Sequence, residues 1–545
     1  MRASDVRARP KKQQANAGRL TPCAPGGLSA RLASLIAAAA VVCYIPALFA
    51  GFVWDDISIT QNVHLRSIGG LLNIWFYPSE NIWEDHYWPL VYTSFWADHL
   101  LWNLNPFGFH LTNVVLHAAD SVLVYAVLNR MGVKGAWMAG ILFAVHPVHV
   151  ESVAWVIERK DTLSALFYLL ALLMYLDFNT SHRRKMLFLT IFFQVMALMC
   201  KSVAVTLPAA IILYHWWRDG AVSRDKWRSL ALLFAAGFVI TIADFWFLRQ
   251  RGGESYDLSL VERVLVAGRA LWAYAGRMIW PVNLCPMYPR WDIDPWSAIQ
   301  WCFPLSAALV LAVFFMLRAR IGRGLFASAV YFVITLSPAL GFIGFSFMKY
   351  AYIADRFAYL ASCGLLALAA GGGAWIWRRV GDRHRVMIVA CFSLIVLALG
   401  ALTVFQCFVW RDSKTLWSRA VSLNPRAWEA WHQLGLAWAQ EDQLTYAAAA
   451  FNKALVLKPD YAEAHNNLGL ALRAQGDSAG GRAHFEQALR INPNYADAHN
   501  SIGVLEAGDG NTSLAIGHFS EALRLNPYFD EARHNLETAR KSGTQ

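Results

Sequence analysis

VMIVACFSLIVLALGALTVFQCFV, residues 386–409, runs straight into WRDSKTLWSRAVSLNP, residues 410–425. The first stretch carries no charge and is long enough to cross a bilayer as a helix, which takes ~20 mostly apolar residues. The second is polar and ends on the first of four prolines, Pro425, Pro459, Pro493 and Pro527, each 34 residues after the last. That period is the tetratricopeptide (TPR) one. The junction therefore separates two kinds of chain, a membrane-spanning one before it and a helical-repeat one after it.

The repeat side reads consistently. Leu434-Gly435, Leu468-Gly469 and Ile502-Gly503 take the small-residue position of the first helix of a pair. Ala447, Phe451 and Ala454 mark the second helix, as do Phe485 with Ala488 and Phe519 with Ala522. Glycine and alanine let paired helices approach, and the phenylalanine is expected to fill the space between repeats. A single pair cannot bury its apolar face alone, so the units must stack. Trp417, Ala420 and Pro425 read as half of a degenerate repeat, and 528–540 as a polar capping helix. Such arrays bind peptides or partner proteins on a concave face and carry no chemistry of their own.

On the other side lie ten further apolar stretches, at 32–53, 109–129, 135–150, 162–178, 186–200, 202–217, 229–248, 298–317, 324–345 and 357–377. The expected fold is all-α: a polytopic bundle of about 11 spans followed by a TPR solenoid. Its parts are a basic cytoplasmic tail (1–31), a membrane domain (32–409) and a TPR domain (410–545). Composition agrees. Of 545 residues, 57% are hydrophobic and 16% charged, against ~45–50% and ~25% in ordinary soluble domains. This excludes a disordered chain and argues against a wholly soluble one. The 24 Trp and 32 Phe suit membrane interfaces.

Charge gives the orientation. The tail (Arg2, Arg7, Arg9, Lys11, Lys12, Arg19, Arg31) and the clusters at 130–134, 183–185, 218–228, 318–323 and 378–385 are basic. They fall in alternate connections, as the positive-inside rule requires of cytoplasmic ones. The alternation holds if a twelfth apolar stretch, 262–281, does not cross. Its Glu262, Arg263, Arg269 and Arg277 fit an amphipathic or re-entrant segment on the outer face. Eleven crossings start inside and end outside. The TPR part is then expected in the periplasm of a bacterial inner-membrane protein, or in the lumen if the source is eukaryotic. The net charge of +11 divides into +13 before residue 411 and −2 from residue 411 onward. The positive charge lies between apolar runs, so no nucleic-acid partner is expected. None of the eight cysteines forms a CxxC pair, which disfavours a zinc site or disulfide scaffold. A Cys200–Cys285 bridge stays open beside the preferred reading, packing as small hydrophobes.

Chemistry is expected on the outer face. In Phe52-Val53-Trp54-Asp55-Asp56, two adjacent carboxylates follow the first span directly. Adjacent acids repel, which raises one pKa or calls for a nearby cation. Such a carboxylate can act as a general base toward a hydroxyl, or it can be a solvated helix end that helps fix topology. His110, Asn113, His117 and Asp120 share one face of the second span by their spacings of three, four and three. They either line a cavity or make hydrogen bonds between helices. His146-Pro147-Val148-His149-Val150-Glu151 continues to Glu158-Arg159-Lys160-Asp161. This is not HExxH, and Pro147 breaks the helix that would align metal ligands. A polar rim holding a phosphate through Arg159 or Lys160 is preferred to a metal site. Lys201, Lys349 and Arg356 add cations at other outer ends. They either snorkel or face an anionic lipid headgroup.

Three segments carry a family resemblance: Val53-Trp54-Asp55-Asp56 followed by Asn62; His146 to Glu151 with Arg159 and Asp161; and Ala354-Asp355-Arg356-Phe357-Ala358-Tyr359-Leu360. Cys200-Lys201 and the repeats also fit. By these the chain resembles bacterial relatives of the transmembrane and tetratricopeptide-repeat-containing protein O-mannosyltransferases, of the GT-C class of polytopic glycosyltransferases. The resemblance covers nearly the whole chain, and spans followed by repeats is its distinctive order. It implies a lipid-phosphate-linked sugar as donor and an essential acid in the first outer loop. That role transfers to Asp55 with Asp56 as its neighbour, the choice between them staying open. With such a donor, its phosphate is expected near Arg356, with Lys201, Arg159 or Lys160, in an outer site lined by His110, His117, Asp120, His146, His149 and Glu151. The implied reaction moves a sugar, mannose in this family, from a polyprenyl-phosphate carrier to Ser or Thr hydroxyls with inversion. No resident cofactor is implied, and a requirement for divalent metal is left open. The implied partners are membrane lipid and an acceptor protein held by the repeats. The repeat array has three clear units, fewer than eukaryotic members carry, so their protein substrates do not transfer. A lipid or envelope-glycan acceptor, a non-catalytic TPR scaffold and a transporter are the rival readings.

Overall fold

A computed structural model describes residues 28–78, 86–250, 258–342, 344 and 346–542. Most of the expected basic tail therefore lies outside the described residues, as does Cys23. Every regular element described is a helix, as expected.

The helix ends follow local chemistry. Ser29 caps Ala30–Cys43 by accepting from the Leu32 N–H. Asn105 caps Pro106–Met131, Pro106 supplies a first-turn residue that needs no N–H partner, and Gly132 closes the helix in the left-handed region at φ 85°. Pro147 breaks the third stretch as expected. Ala136–Val145 and Pro147–Ala154 meet at a 54° bend.

Among the described residues, six helices are long and apolar enough to cross a membrane: Pro106–Met131, Val156–Ser181, Lys226–Asp244, Ala298–Ile321, Asp355–Arg379 and Asp382–Val409. The bent pair adds a seventh. The other four expected crossings are shorter helices, Ala30–Cys43, Arg184–Leu198, Leu207–Asp219 and Gly324–Leu336. Ala298–Ile321 buries none of its side chains, and Leu305, Leu309 and Met316 all face outward. An apolar helix that exposes this much hydrocarbon surface is stable in lipid, not in water. The chain is a multi-pass membrane protein. Pro106–Met131 is central, packed on Ala30–Cys43, Ala136–Val145 and Arg159–Ser181, while Ala358–Arg379 packs on Ala136–Val145 and Gly324–Leu336.

The segment at 262–281 forms the helix Leu260–Ile279, opened by a reciprocal Ser259–Glu262 cap. Leu265, Val266, Ala270 and Tyr274 are buried along one face. Its Arg269 lies over the Trp291 ring at 4.5 Å.

The repeats form as read. Trp428–Gln440 pairs with Leu444–Leu457, Ala462–Ala474 with Ser478–Ile491, and Ala496–Gly508 with Thr512–Leu525; Asp530–Ser542 follows. A methyl group on Gly435, Gly469 or Gly503 would lie 2.5–2.6 Å from the ring of Phe451, Phe485 or Phe519. Each phenylalanine thus fills the gap within its own helix pair, a refinement of the expected place between repeats. Phe451 and Phe485 also reach side chains of the next unit.

The half repeat Ser413–Leu423 is built into the membrane body. Trp410, Leu416, Trp417, Ala420 and Val421 share one apolar core with the spanning helices. The Gly51 N–H donates to the Arg411 carbonyl at 2.9 Å, and the Asn424 amide donates to the Met287 carbonyl at 3.1 Å.

Candidate functional site

The Val53–Asp56 loop turns sharply. Trp54 sits at φ +50°, a left-handed conformation that costs a non-glycine residue ~1–2 kcal/mol. Packing holds it there. Its ring stacks on Trp155 at 4.5 Å and meets Trp417 edge-on at 4.9 Å.

This turn sends the two acids in different directions. Asp56 is wholly buried. Its two carboxylate oxygens accept the N–H groups of Val53 and Ile157, each at 2.9 Å. Burial pushes its pKa up to about 8 against the pull of those two donors. Asp55 is exposed. It opens into a hollow of about 400 Å³ between residues 52–61 and the TPR helix Trp428–Gln440. Displaced water pushes its carboxyl up to about 6, while Lys160 and Arg356 pull it down and Glu158 and Glu429 push it up. The carboxyl opens to water in the hollow, which moderates that rise.

Behind the Trp54–Trp155 stack lies a continuous ion cluster. Arg356 pairs with Glu151 through Nη1 and with Glu158 through Nε at 3.3 Å. Lys160 approaches Glu158 at 3.3 Å. Lys201 bridges Glu158 at 3.5 Å and Asp161 at 2.5 Å. The Arg356 guanidinium lies 5.4 Å from the Trp155 ring centre and 4.2 Å from that of Phe347. Four of the expected residues, Lys160, Lys201, Arg356 and Glu151, thus come together. Glu158 is the hub that the sequence reading quoted without assigning. Its signal was the four-charge run opening an apolar helix. Beside the cluster, Tyr288 donates to Asp355 at 2.8 Å and Arg277 approaches that carboxylate at 3.6 Å.

The structure places Arg159 elsewhere. It is completely buried. Its guanidinium donates to Asn113 Oδ1 at 2.7 Å, the Phe109 carbonyl at 2.9 Å and Ser94 Oγ at 3.3 Å, and pairs with Asp98 at 2.6 Å. These contacts tie helices together and leave no face for a phosphate.

The histidines are likewise built into packing. His110 is buried beneath the backbone of Ala50 and Gly51. His117 Nδ1 lies 2.8 Å from the Tyr359 hydroxyl, which donates to Asp120 at 2.8 Å. His146 reaches the Met278 carbonyl at 3.1 Å, and His149 the Phe143 carbonyl at 2.9 Å and Ser362 at 3.0 Å. The shared face read for His110, Asn113, His117 and Asp120 serves contacts between helices. Tyr359, within the quoted Ala354–Leu360 segment, joins two of them. Among the described residues no three of His, Cys, Asp and Glu gather as a metal ion would require. Cys200 and Cys285 are both free thiols.

Comparison with known proteins agrees with this architecture. A tetratricopeptide repeat family model matches residues 466–528, and a TPR repeat model matches 439–476. The chain is 25% identical over 478 residues to the protein O-mannosyl-transferase TMTC3 of Mus musculus, covering 77% of this chain and 50% of that protein. It is 28% identical over 496 residues to the protein O-mannosyl-transferase Tmtc1 of Drosophila melanogaster, covering 71% and 57%. It is 24% identical over 485 residues to the protein O-mannosyl-transferase TMTC4 of Homo sapiens, covering 76% and 64%. The chain spans about half the length of the first two relatives. The expected resemblance to the transmembrane and tetratricopeptide-repeat-containing O-mannosyltransferases is borne out across most of the chain.

Proposed function

We propose that this protein is a membrane glycosyltransferase that moves a sugar, mannose in our reading, from a polyprenyl-phosphate carrier to a Ser or Thr hydroxyl of a protein. The names of its relatives support the sugar and the class of acceptor. One observation carries the chemistry. Asp55 opens into a hollow bounded by the first full repeat, and a cluster of three cations lies behind its turn.

In this reading the acceptor hydroxyl enters from the hollow and Asp55 takes its proton as the oxygen attacks the anomeric carbon. The carrier phosphate leaves toward Lys160, Lys201 and Arg356, which exchange part of their pairing with Glu158 for the phosphate and stabilise its charge. Attack from one face and departure from the other invert the anomeric centre. Asp56, which accepts two backbone N–H groups, positions Asp55 and is not the base. The outer acids and the repeats then face the periplasm of a bacterial inner-membrane protein, with the tail 1–31 cytosolic, 32–409 in the membrane and 410–545 holding the acceptor.

The test is transfer by purified full-length protein from polyprenyl-phosphate-mannose to a periplasmic extract, read by mass spectrometry of Ser and Thr. Asp55→Asn should abolish transfer without lowering membrane abundance. Normal turnover in that variant would end the assignment.

A further inference from the structure

The hollow beside Asp55 has a chemical character of its own. Asp55 is the one ionisable side chain in its lining; the rest is apolar, hydroxyl or amide. The amides are Gln61, on the loop side with Trp54, and Gln433 and Gln440, which share a face of Trp428–Gln440 with Leu436. Charges at the rim are matched, Arg411 with Asp412 at 2.9 Å and Lys414 with Glu441 at 2.7 Å. Beneath the floor, Glu429 adds a second negative charge that Asp55 feels. Glu429 also fixes one of the amides: Gln433 Nε2 donates to it at 2.9 Å. The Gln433 side-chain oxygen is then the atom available to accept a hydrogen bond. The cations lie behind the Trp54–Trp155 stack, outside this lining.

A site for the carrier phosphate would need cations in its wall. A sugar chain would want an open aromatic face, but the Trp54 ring is stacked on Trp155 and edged by Trp417. Side-chain amides over an apolar wall match a peptide backbone, which offers alternating N–H and C=O groups. The volume lies within the range of ligand clefts, ~300–1,000 Å³, which suits a few residues of extended chain. We infer that this hollow is the acceptor subsite and that it takes an extended, uncharged or basic peptide segment, read through Gln61, Gln433 and Gln440 on either side of the target hydroxyl. The inference deepens the glycosyltransferase reading by naming the class of acceptor and the residues that select it. It implies discrimination by charge. With Asp55 the one charged side chain in the lining and no cation beside it there, acidic residues flanking the hydroxyl are repelled.

The experiment measures binding in the absence of donor, so that it does not depend on turnover. Full-length protein in lipid nanodiscs is titrated with fluorescent Ser-containing peptides flanked by neutral, Lys or Asp residues, and anisotropy is read. Asp-flanked peptide should bind weaker than the neutral one by on the order of tenfold, which is about 1.4 kcal/mol. Gln440→Lys should narrow or reverse that preference, and Leu436→Trp, which fills the hollow, should weaken all three peptides. Equal binding of the three peptides would overturn the inference. So would indifference to both substitutions, or displacement of bound peptide by an envelope-glycan fragment. A parallel transfer assay keeps the two claims apart. Charge-selective binding without transfer sinks the glycosyltransferase reading alone, and transfer with charge-blind binding sinks this one alone.

Discussion

Arg159 and Lys160 are neighbours in sequence and carry the same charge, yet their removal should have opposite consequences. Arg159 is fully buried, and its partners are the carboxylate of Asp98, the side chains of Asn113 and Ser94 and the Phe109 carbonyl. Arg159→Met keeps most of the volume but strands Asp98, itself 4% exposed, without its cation. Breaking a buried pair from one side costs ~3–5 kcal/mol. That is a large part of a typical stability of ~5–15 kcal/mol, so the variant should melt far below wild type and accumulate poorly. Adding Asp98→Asn removes the stranded charge and should restore part of the loss, a coupling that the double-mutant cycle reads directly. Lys160 retains some exposure and meets Glu158 at 3.3 Å at the open side of the cluster. Lys160→Met should cost ~1 kcal/mol or less while raising the KM for the lipid donor. The assays are thermal melts of the full chain in detergent and initial rates against donor concentration. Arg159→Met with wild-type melting and a raised donor KM would refute the reasoning and return Arg159 to the phosphate.

Other outcomes follow from the same geometry. Asp56→Asn presents an amide nitrogen to the N–H of Val53 or Ile157 and leaves one of those donors unpaired, so the melt should show a loss of ~1–3 kcal/mol; an unchanged melt would remove its positioning role. Asp55 must be ionised to act as a base, and displaced water pushes its carboxyl up toward about 6. Transfer should therefore be full at pH 7.5 and fall about tenfold per unit below that pKa; a flat profile from pH 5 to 8 would rule it out as the base. Gly469→Ala forces a methyl group to within 2.6 Å of the Phe485 ring, and overpacking of this kind costs ~1–3 kcal/mol, again read by melting the full chain.

What could be read in the sequence was what spacing dictates. A 34-residue period fixes which positions recur in each helix pair, so Gly469 and Phe485 could be placed on the two helices of one unit before any coordinates, though not against each other. Runs of apolar residues likewise declared the spanning helices, and the steps of three, four and three from His110 to Asp120 declared a shared face. Spacing does not say what lies across from a face. Asp55 and Asp56 sit one step apart on a tight turn, and that step sends one into the hollow and the other into the protein. Arg159 and Lys160 sit at the head of one helix, where one step turns a side chain by ~100°. The histidines drew attention as ligands because their type is versatile. Their partners prove to be carbonyls and hydroxyls contributed by other segments, such as Ala144, Met278 and Tyr359. Gln433 and Gln440 carried no signal at all, since an amide on a repeat helix is common and only the neighbouring loop gives it a purpose.

The junction that opened the reading also accounts for how a modest repeat array can serve a reaction. An acceptor tethered by a flexible linker samples a large volume, and its effective concentration at the site falls with linker length. Here no linker intervenes. Asp382–Val409 is followed at once by a half repeat whose Trp417 is buried against Trp54, the residue next to Asp55. The same tryptophan stack that holds Trp54 in its left-handed turn therefore holds the first repeat. Any tilt of the repeats must disturb the turn that presents Asp55. Cutting back this contact, as in Trp417→Ala, should cost ~3–5 kcal/mol of packing and also release the turn, so that catalysis falls even in the fraction of protein that remains folded. A merely structural tether would lose abundance while keeping the turnover number of the survivors, and that outcome would dissolve the link drawn between the array and the acid.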